Sequence, residues 1–597
     1  MKKKLIYCLA FISLAFGACT KNTLDTSPNS QVSSSLMWNT DNLTDLGVTG
    51  VYNALRLGGS GNGCLLYELY SMDRYAYTGQ DYYNDELTNA TATPTSGLFT
   101  NAWQCLYEGI SRANDAIYSI PLKSPSAAAK KTRYIAECKF LRAYFYFRLN
   151  QLWNGVPVYL LPTDYDKFNH GTTSKDSVWA VIANDLTDAI NEPNLPNFYA
   201  AGNANYGHIT KGAAYALRGM VYMYQQKWAN AVADFQSVQN CGYSLYTGSG
   251  ATSYKMLFKP ANEQCAEMIF SMQNIDLAGY GGTSDFYCGT RSSFGSCWDW
   301  FGPSNDLVDL YENIDGSKFN WDNIIPGYST MTPAQREVYF LRNNCTNAEL
   351  SAANARGADV SKYLPIGNEA RILAAYANRD PRLAQTVITP YSTYLGAPIG
   401  PSADLTYTMR WPYRDMNPPT QDIKNDKTAY LLYWYRKFVY EGSSEGSNRS
   451  QVPTDYPIIR YADVVLRWAE CINESNGVTQ QALNLINSVR TRAGLPNLQT
   501  TDATKSTYVN GQSDFRERIR NERRVEFPNE GVNYFDELRW GTWKAKKFYA
   551  GNGCKVIFGT VLSPYVYPGD YILNWPVPTS VVQITNGVVP KTAGWTY

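Results

Sequence analysis

The sequence predicts a mainly α fold: an α-α superhelix of tetratricopeptide-like helix pairs with a large irregular, loop-rich insert. Three observations predict it. Apolar residues recur at three-and-four spacing through most of the chain up to about residue 240, the signature of helices with one buried face. Within that region Gly219, Tyr222, Ala231 and Phe235 fall at the spacing of the tetratricopeptide repeat. Its small residues let two helices approach, and its aromatics fill the gap. From about 241 to 440 the period is lost, and Gly, Pro, Asn and Ser recur every few residues among crowded aromatics.

The elements follow in chain order. Residues 1–18 carry Lys2, Lys3 and Lys4, then an apolar run from Leu5 to Phe16. That run is too short to span a bilayer, which needs about 20 apolar residues, and it reads as a secretory signal. It ends in Phe16-Gly17-Ala18-Cys19, which looks like the lipobox of a bacterial lipoprotein, with Phe16 where Leu is usual. Lipidation of Cys19 would anchor the chain, since each buried CH₂ adds about 0.8 kcal/mol of membrane affinity. The alternative is an ordinary signal peptide with a chance cysteine. Residues 19–35 are polar and read as a flexible, lipidated tether. Residues 36–240 form an N-terminal helical domain, with helices expected over Ala102 to Ser119, Ala127 to Trp153, Ser177 to Ile190 and Thr210 to Gln225. Ser174 and Thr210 are suited to cap the last two, and Pro157 and Pro162 to stop the second. Residues 241–440 form the insert. Residues 441–597 form a C-terminal helical domain, with a second, less regular pair from Tyr461 to Arg490 and a turn-rich tail from Tyr549.

Composition excludes several function classes. The 53 basic and 52 acidic residues nearly cancel, which leaves no basic stripe for nucleic acid. Only two histidines are present, His170 and His208, which removes most His-dependent catalysis and zinc sites. No CxxC, P-loop or zinc-protease motif occurs. Cys105, Cys138, Cys241 and Cys471 read as buried thiols in helices. Cys288 and Cys297 sit close together in a Gly/Ser-rich loop, where they are candidates for a loop disulfide in an exported protein. Neither a cofactor nor a metal is expected.

The C-terminal third carries a series of motifs: Arg460-Tyr461-Ala462-Asp463 with Ala469-Glu470, Ile486-Asn487-Ser488-Val489-Arg490-Thr491-Arg492-Ala493-Gly494, Glu522-Arg523-Arg524-Val525-Glu526-Phe527, Phe535-Asp536-Glu537-Leu538-Arg539-Trp540-Gly541 and Trp575-Pro576-Val577-Pro578. Upstream, Phe140-Leu141-Arg142-Ala143-Tyr144 and Asn378-Arg379-Asp380-Pro381-Arg382-Leu383 fit the same pattern. Together they resemble the SusD/RagB family of outer-membrane nutrient-binding lipoproteins over almost the entire mature chain. The resemblance implies a helical scaffold of four tetratricopeptide-like units, no enzymatic activity, and capture of glycans, or peptides in some branches. It also implies a place on the surface of a Gram-negative outer membrane, as a lid on a SusC-type TonB-dependent channel. The Arg and carboxylate residues of these motifs read as a partly buried ion-pair network, and Asp380 before Pro381 as a turn or cap.

Two segments of the loops are suited to a ligand. Residues 279–301 hold seven aromatics in 23 residues without helical period, Tyr287, Trp298 and Trp300 among them. Residues 73–85 mix Tyr75, Tyr77, Tyr82 and Tyr83 with Asp73, Arg74, Gln80 and Asp81. A sugar ring has an apolar C–H face and a hydroxyl rim. Aromatic rings take the face, and carboxylates, amides and Arg take the hydroxyls. The candidate ligand-binding residues are therefore Asp73, Tyr75, Tyr77, Tyr82, Tyr83, Tyr287, Trp298 and Trp300. In Trp298-Asp299-Trp300 an extended backbone would point both indoles one way and the carboxylate the other. Trp321, Trp411 and Tyr413 compete for the role, while the aromatics from Tyr430 to Tyr440 alternate like a strand. Two other function classes stand beside glycan capture. A surface-anchored glycoside hydrolase needs two carboxylates about 5–10 Å apart, for which Asp285 with Asp299, or Asp73 with Asp81, are the candidates. A peptide-binding lid of the RagB type differs only in ligand.

Overall fold

The computed structural model describes residues 36–56, 72–83, 85–162, 170–400, 404–414, 421–427 and 430–597. The signal segment, Cys19 and the tether lie outside the described residues. The scaffold helices are α1 (Asp41–Asn53), α2 (Gly97–Lys123), α3 (Ala128–Trp153), α4 (Lys175–Asn191), α5 (Lys211–Tyr224), α6 (Trp228–Asn240), α7 (Tyr461–Asn476), α8 (Gln480–Ala493), α9 (Gly511–Glu526) and α10 (Asn533–Trp540). From α2 to α6 each helix packs against the next, and α7 packs on α6, α8 and α9. The chain thus returns from the insert to extend the superhelix it left.

Local chemistry sets the helix ends. Ser174 and Thr210 cap α4 and α5: their hydroxyls accept from Ser177 N at 3.3 Å and Ala213 N at 3.1 Å. This satisfies first-turn amides that have no partner within the helix. α3 stops at Trp153, where Asn154 turns left-handed at φ 53°, ahead of Pro157.

Glycine sets the closest helix approaches. A Cβ at Gly219 would lie 2.6 Å from the Phe235 ring, and one at Gly109 2.6 Å from the Phe145 ring. The tetratricopeptide spacing legible in the sequence is therefore a packing fact in α5 and α6. Of the helical thiols, Cys105, Cys138 and Cys471 are buried as expected, while Cys241 is only half-buried at the end of α6.

The insert is built of short elements, its longest helices being Pro333–Phe340 and Asn347–Ala355 among the described residues. Its strand β2 (Met268–Met272) pairs antiparallel with β4 (Tyr456–Arg460), which leads directly into α7. A small sheet joins 393–396 to 405–408 antiparallel and 405–408 to 421–422 parallel. The aromatic run from Tyr430 to Tyr440 supplies only a two-residue strand, Trp434–Tyr435, paired with Val387–Ile388.

The expected ion-pair network is present and more deeply buried than the sequence implies. Glu526, at the end of α9, receives Arg382 at 2.8 Å, Arg460 at 2.7 Å, and Arg492. Arg460 also reaches Glu267 and Glu530, Arg523 spans Asp463 and Asp536, and Arg539 forks onto Glu470 at 2.6 and 2.9 Å. Burial alone would push the Glu526 carboxyl up, but Arg492, Arg460 and Arg382 hold it well below the usual carboxylate range. Asp380 caps the short helix Pro381–Thr386 through Arg382 N at 2.9 Å, and its carboxylate also grips the Arg382 guanidinium.

Candidate functional site

The two loop segments singled out in the sequence are hydrogen-bonded to each other. β1 (Gly79–Asp81) pairs antiparallel with β3 (Phe301–Pro303), with Asp81 opposite Phe301 and Gln80 opposite Gly302. The ladder continues one step, as Tyr82 N donates to Trp300 O at 3.0 Å. Successive side chains leave a strand on opposite faces. Tyr82 therefore goes inward, with its hydroxyl on Tyr433 O, and Tyr83 goes outward, 42% exposed. Gly302 permits the crossing, because a Cβ there would lie 2.2 Å from the Tyr82 hydroxyl and 2.8 Å from Tyr433 O.

The partner loop is held by backbone bonds to the short helix Ser284–Cys288 and the residue after it. Trp298 N donates to Phe286 O at 2.9 Å, Asp299 N to Gly289 O at 2.8 Å, and Trp300 N to Tyr287 O at 2.7 Å. Asp299 sits at φ 37°, so the segment is no regular strand. The expected alternation still holds: Asp299 is fully buried and accepts from Asp426 N at 3.1 Å, while Trp298 is 42% exposed and Trp300 half-exposed. Burial pushes the Asp299 carboxyl well above the usual carboxylate range, against the pull of the Asp426 amide, Arg291 and Lys427.

The result is an aromatic platform. Trp298 lies 4.6 Å from Phe286 and 6.3 Å from Trp300, and Trp300 lies 6.2 Å from Tyr83, centroid to centroid. Tyr287 backs Trp300 from below at 5.5 Å. A polar rim surrounds it. The Tyr83 hydroxyl donates to Asp426 at 2.9 Å, Arg291 donates to the same carboxylate at 2.9 Å, Lys427 sits 4.5 Å over the Tyr83 ring, and Arg449 lies 4.8 Å over Phe286. Beside the platform opens a cleft of about 640 Å³, bordered by Arg291, Ile399, Tyr407, Tyr413, Lys424 and Asp426. Flat rings beside fixed donors and one carboxylate are what an amphipathic ring ligand needs.

The structure corrects part of the sequence reading. Asp73, Tyr75 and Tyr82 are buried and present no side-chain surface to a ligand. Asp73 accepts from Glu530 N at 3.0 Å, and burial first of all raises its carboxyl to about 7. Tyr75 packs on Tyr534 at 5.6 Å. Tyr287 is buried beneath the platform. Tyr77 is half-buried near Lys546 and Arg524, against the C-terminal helices. Of the eight named residues, Tyr83, Trp298 and Trp300 come together at the surface.

Cys288 and Cys297 are unbridged, contrary to the disulfide considered for this loop. The Cys288 thiol faces Asn529 at 3.7 Å and the Cys297 thiol faces Asp285 at 3.3 Å, so each has its own partner. Trp411 is a core ring with its indole N–H on Glu337 at 3.0 Å, and Trp321 stacks on Tyr328 at 4.7 Å. The carboxylates weighed for hydrolysis, Asp285, Asp299, Asp73 and Asp81, are all buried, which takes both pairs off the surface. Phe286 was visible as an aromatic of the segment. Arg291, Asp426, Lys427 and Arg449 carried no comparable signal, since they stand in polar loops that only the tertiary fold brings to the rim.

Comparison with known proteins agrees with this architecture. Residues 266–595 match the model described as SusD family, and residues 23–223 match one described as starch-binding associating with outer membrane. The chain is 24% identical over 446 residues to SusD-like protein P25 of Formosa agariphila, covering 74% of this chain and 70% of that one. A solved SusD-like protein of Bacteroides fragilis is similar at TM-score 0.70 and 20% identity, with 96% of this chain and 100% of that chain covered. Surface glycan-binding protein A of Bacteroides thetaiotaomicron, solved in complex with laminarihexaose, is similar at TM-score 0.58 and 18% identity, with 93% of this chain and 99% of that chain covered.

Proposed function

The chain belongs to the SusD family, and on that premise we propose that it is a non-catalytic cell-surface lipoprotein that captures oligosaccharides on the platform of Tyr83, Trp298 and Trp300 and passes them to a SusC-type TonB-dependent channel. The platform is the observation that carries the binding role. Aromatic side chains are mostly buried where they serve the core, yet Trp298 is 42% exposed on a loop pinned by three backbone hydrogen bonds, and Tyr83 is 42% exposed just beyond the strand paired with that loop. The face is preformed, which lowers the entropy cost of binding. The laminarihexaose complex of the similar surface glycan-binding protein A and a similar laminarin-binding SusD-like protein support the ligand class, and the matched family description, associating with outer membrane, supports the location.

Stacking a flat ligand on one ring is worth about 1–3 kcal/mol by analogy with bases on aromatic platforms, or about 5- to 150-fold in affinity. Trp298→Ala and Trp300→Ala are expected to weaken oligosaccharide binding by that range in calorimetric titration, with the melting temperature nearly unchanged. A large fall in melting temperature would make the rings core, and unchanged affinity would move the site elsewhere. The anchor and the channel partnership are tested together. Cys19→Ala should lose fatty-acid labelling and leave the membrane fraction. The unaltered protein should co-purify with its channel in mild detergent, and recovery of a lone monomer while the channel is present would reject the partnership.

A further inference from the structure

The platform and its cleft are bordered by four cationic side chains, Arg291, Lys424, Lys427 and Arg449. Asp426 is the one exposed carboxylate among the described residues lining the cleft, and Arg291 already occupies it. Asp422, also in the cleft wall, is buried and paired with Arg342 and Arg410. Among the described residues, no carboxylate lies within ion-pair distance of Lys424, Lys427 or Arg449. Asp285 and Asp299 lie buried under the platform, and burial is the main cause that raises both carboxyls above the usual carboxylate range, against the pull of Arg449 on the first and of Arg291 and Lys427 on the second.

Two of the cations converge. Arg291 donates to Ser296 O at 3.4 Å, and Arg449 donates to the same carbonyl and to Gly295 O at 2.6 Å. Both guanidinium groups are thus drawn to the turn directly before Trp298. Arg291 already has Asp426, so the charge left open to an anion at this turn is that of Arg449. Guanidinium and ammonium groups donate only. Hydroxyls of a neutral sugar can be met by donors or acceptors alike, whereas a rim composed largely of donors matches groups that only accept, such as a carboxylate or a sulfate ester.

Resting on the glycan-binding reading above, we infer that this site selects anionic glycans: a sugar ring stacked on Trp298 and Trp300, with its carboxylate or sulfate held between Arg449, Arg291 and the Lys424 side of the cleft. The test is calorimetric titration of the full chain with tetragalacturonate, with a sulfated galactan oligosaccharide that lacks uronate, and with neutral laminarihexaose, each at 50 and 500 mM NaCl. At least one anionic ligand should bind about tenfold or more tighter than the neutral one at low salt. That preference should shrink at high salt, because screening shortens the Debye length from about 14 Å to about 4 Å. Which anionic ligand wins tells carboxylate from sulfate. Lys424→Gln, at an exposed position, and Arg449→Gln should each lower the anionic-to-neutral preference at least threefold at an unchanged melting temperature. Equal or tighter binding of laminarihexaose, a salt-independent preference, or a preference that survives both substitutions overturns the anionic inference and leaves glycan capture standing. If Trp298→Ala changes the affinity for none of the three ligands, the platform reading falls and this inference with it.

Discussion

Replacing Glu526 by alanine is expected to destabilise the protein by about 3–5 kcal/mol, because it strips one carboxylate from three buried guanidinium groups. Arg382, Arg460 and Arg492 all converge on Glu526, and all four side chains are buried. A buried pair replaced whole by apolar residues can be neutral, but removing Glu526 alone leaves three buried guanidinium groups to share Asp380, Glu522, Glu267 and Glu530. Glu526→Gln keeps the shape and removes the charge, so it should fall between the wild type and the alanine variant in a denaturant titration. If the alanine variant melts within a degree of the wild type, the hub contributes nothing and the reading fails. This hub and the neighbouring cluster around Asp536 set the acid limit. Burial alone would raise the Asp536 carboxyl, but Arg523, Arg467 and Arg539 hold it at about 2, and Glu526 is depressed likewise. Carboxylates with folded values below the unfolded value near 4 contribute stability that is complete above about pH 4 and lost as pH falls toward 2. The denaturation midpoint should therefore drop steeply between those values, and Glu526→Gln should flatten the drop.

Gly302→Val is expected to damage glycan binding more than any single ring truncation. A Cβ at this position meets the Tyr82 hydroxyl and the backbone of Tyr433, and the backbone has no rotamer with which to yield. β1 and β3 would then separate or slip, and a one-residue slip reverses every side chain. Tyr83 would turn away from Trp300 and take its contact with Asp426 along. Losing two aromatic contacts at about 1–3 kcal/mol each gives a fall of more than about 30-fold, with an overpacking cost to stability of about 1–3 kcal/mol. Affinity close to that of the wild type would show that the register does not position the platform. Gly302→Ala should lie between the two in both measurements.

The helical scaffold was largely legible in the sequence because its signals are local. Three-and-four periodicity, the Ser174 and Thr210 caps and the Gly219–Phe235 spacing all act within a few turns of chain. The ion-pair network was legible from the density of Arg and Glu, although Glu267, Arg382 and Lys437 belong to it from outside the C-terminal helices. The site was legible as two segments and no further. Which tyrosine of Tyr82 and Tyr83 faces outward depends on the register of a three-residue strand whose partner is remote in sequence. Asp426 and Lys427 lie in a polar loop with no local pattern, and they reach the rim because residues 421–422 pair with residues 407–408. The cysteine spacing misled because the Cys288 thiol faces Asn529, 241 positions away, while the Cys297 thiol faces Asp285.

The pairing of β1 with β3 also has a consequence for the order of folding. Gln80 reaches Pro303 across 223 positions, and Lys547 closes on Gly79 O across 468, at 2.7 Å. Closing a loop of that first size costs about 5 kcal/mol of chain entropy before any contact rewards it. Helix pairs such as α5 and α6 need no such closure, so local helices should appear early and the binding face late. A chain released without its last 60 or so residues would lack Lys547, which also holds Arg74 O and Ala76 O, though nothing in that tail takes part in the platform. Ligand capture would then be acquired only by chains that have been completed and folded end to end.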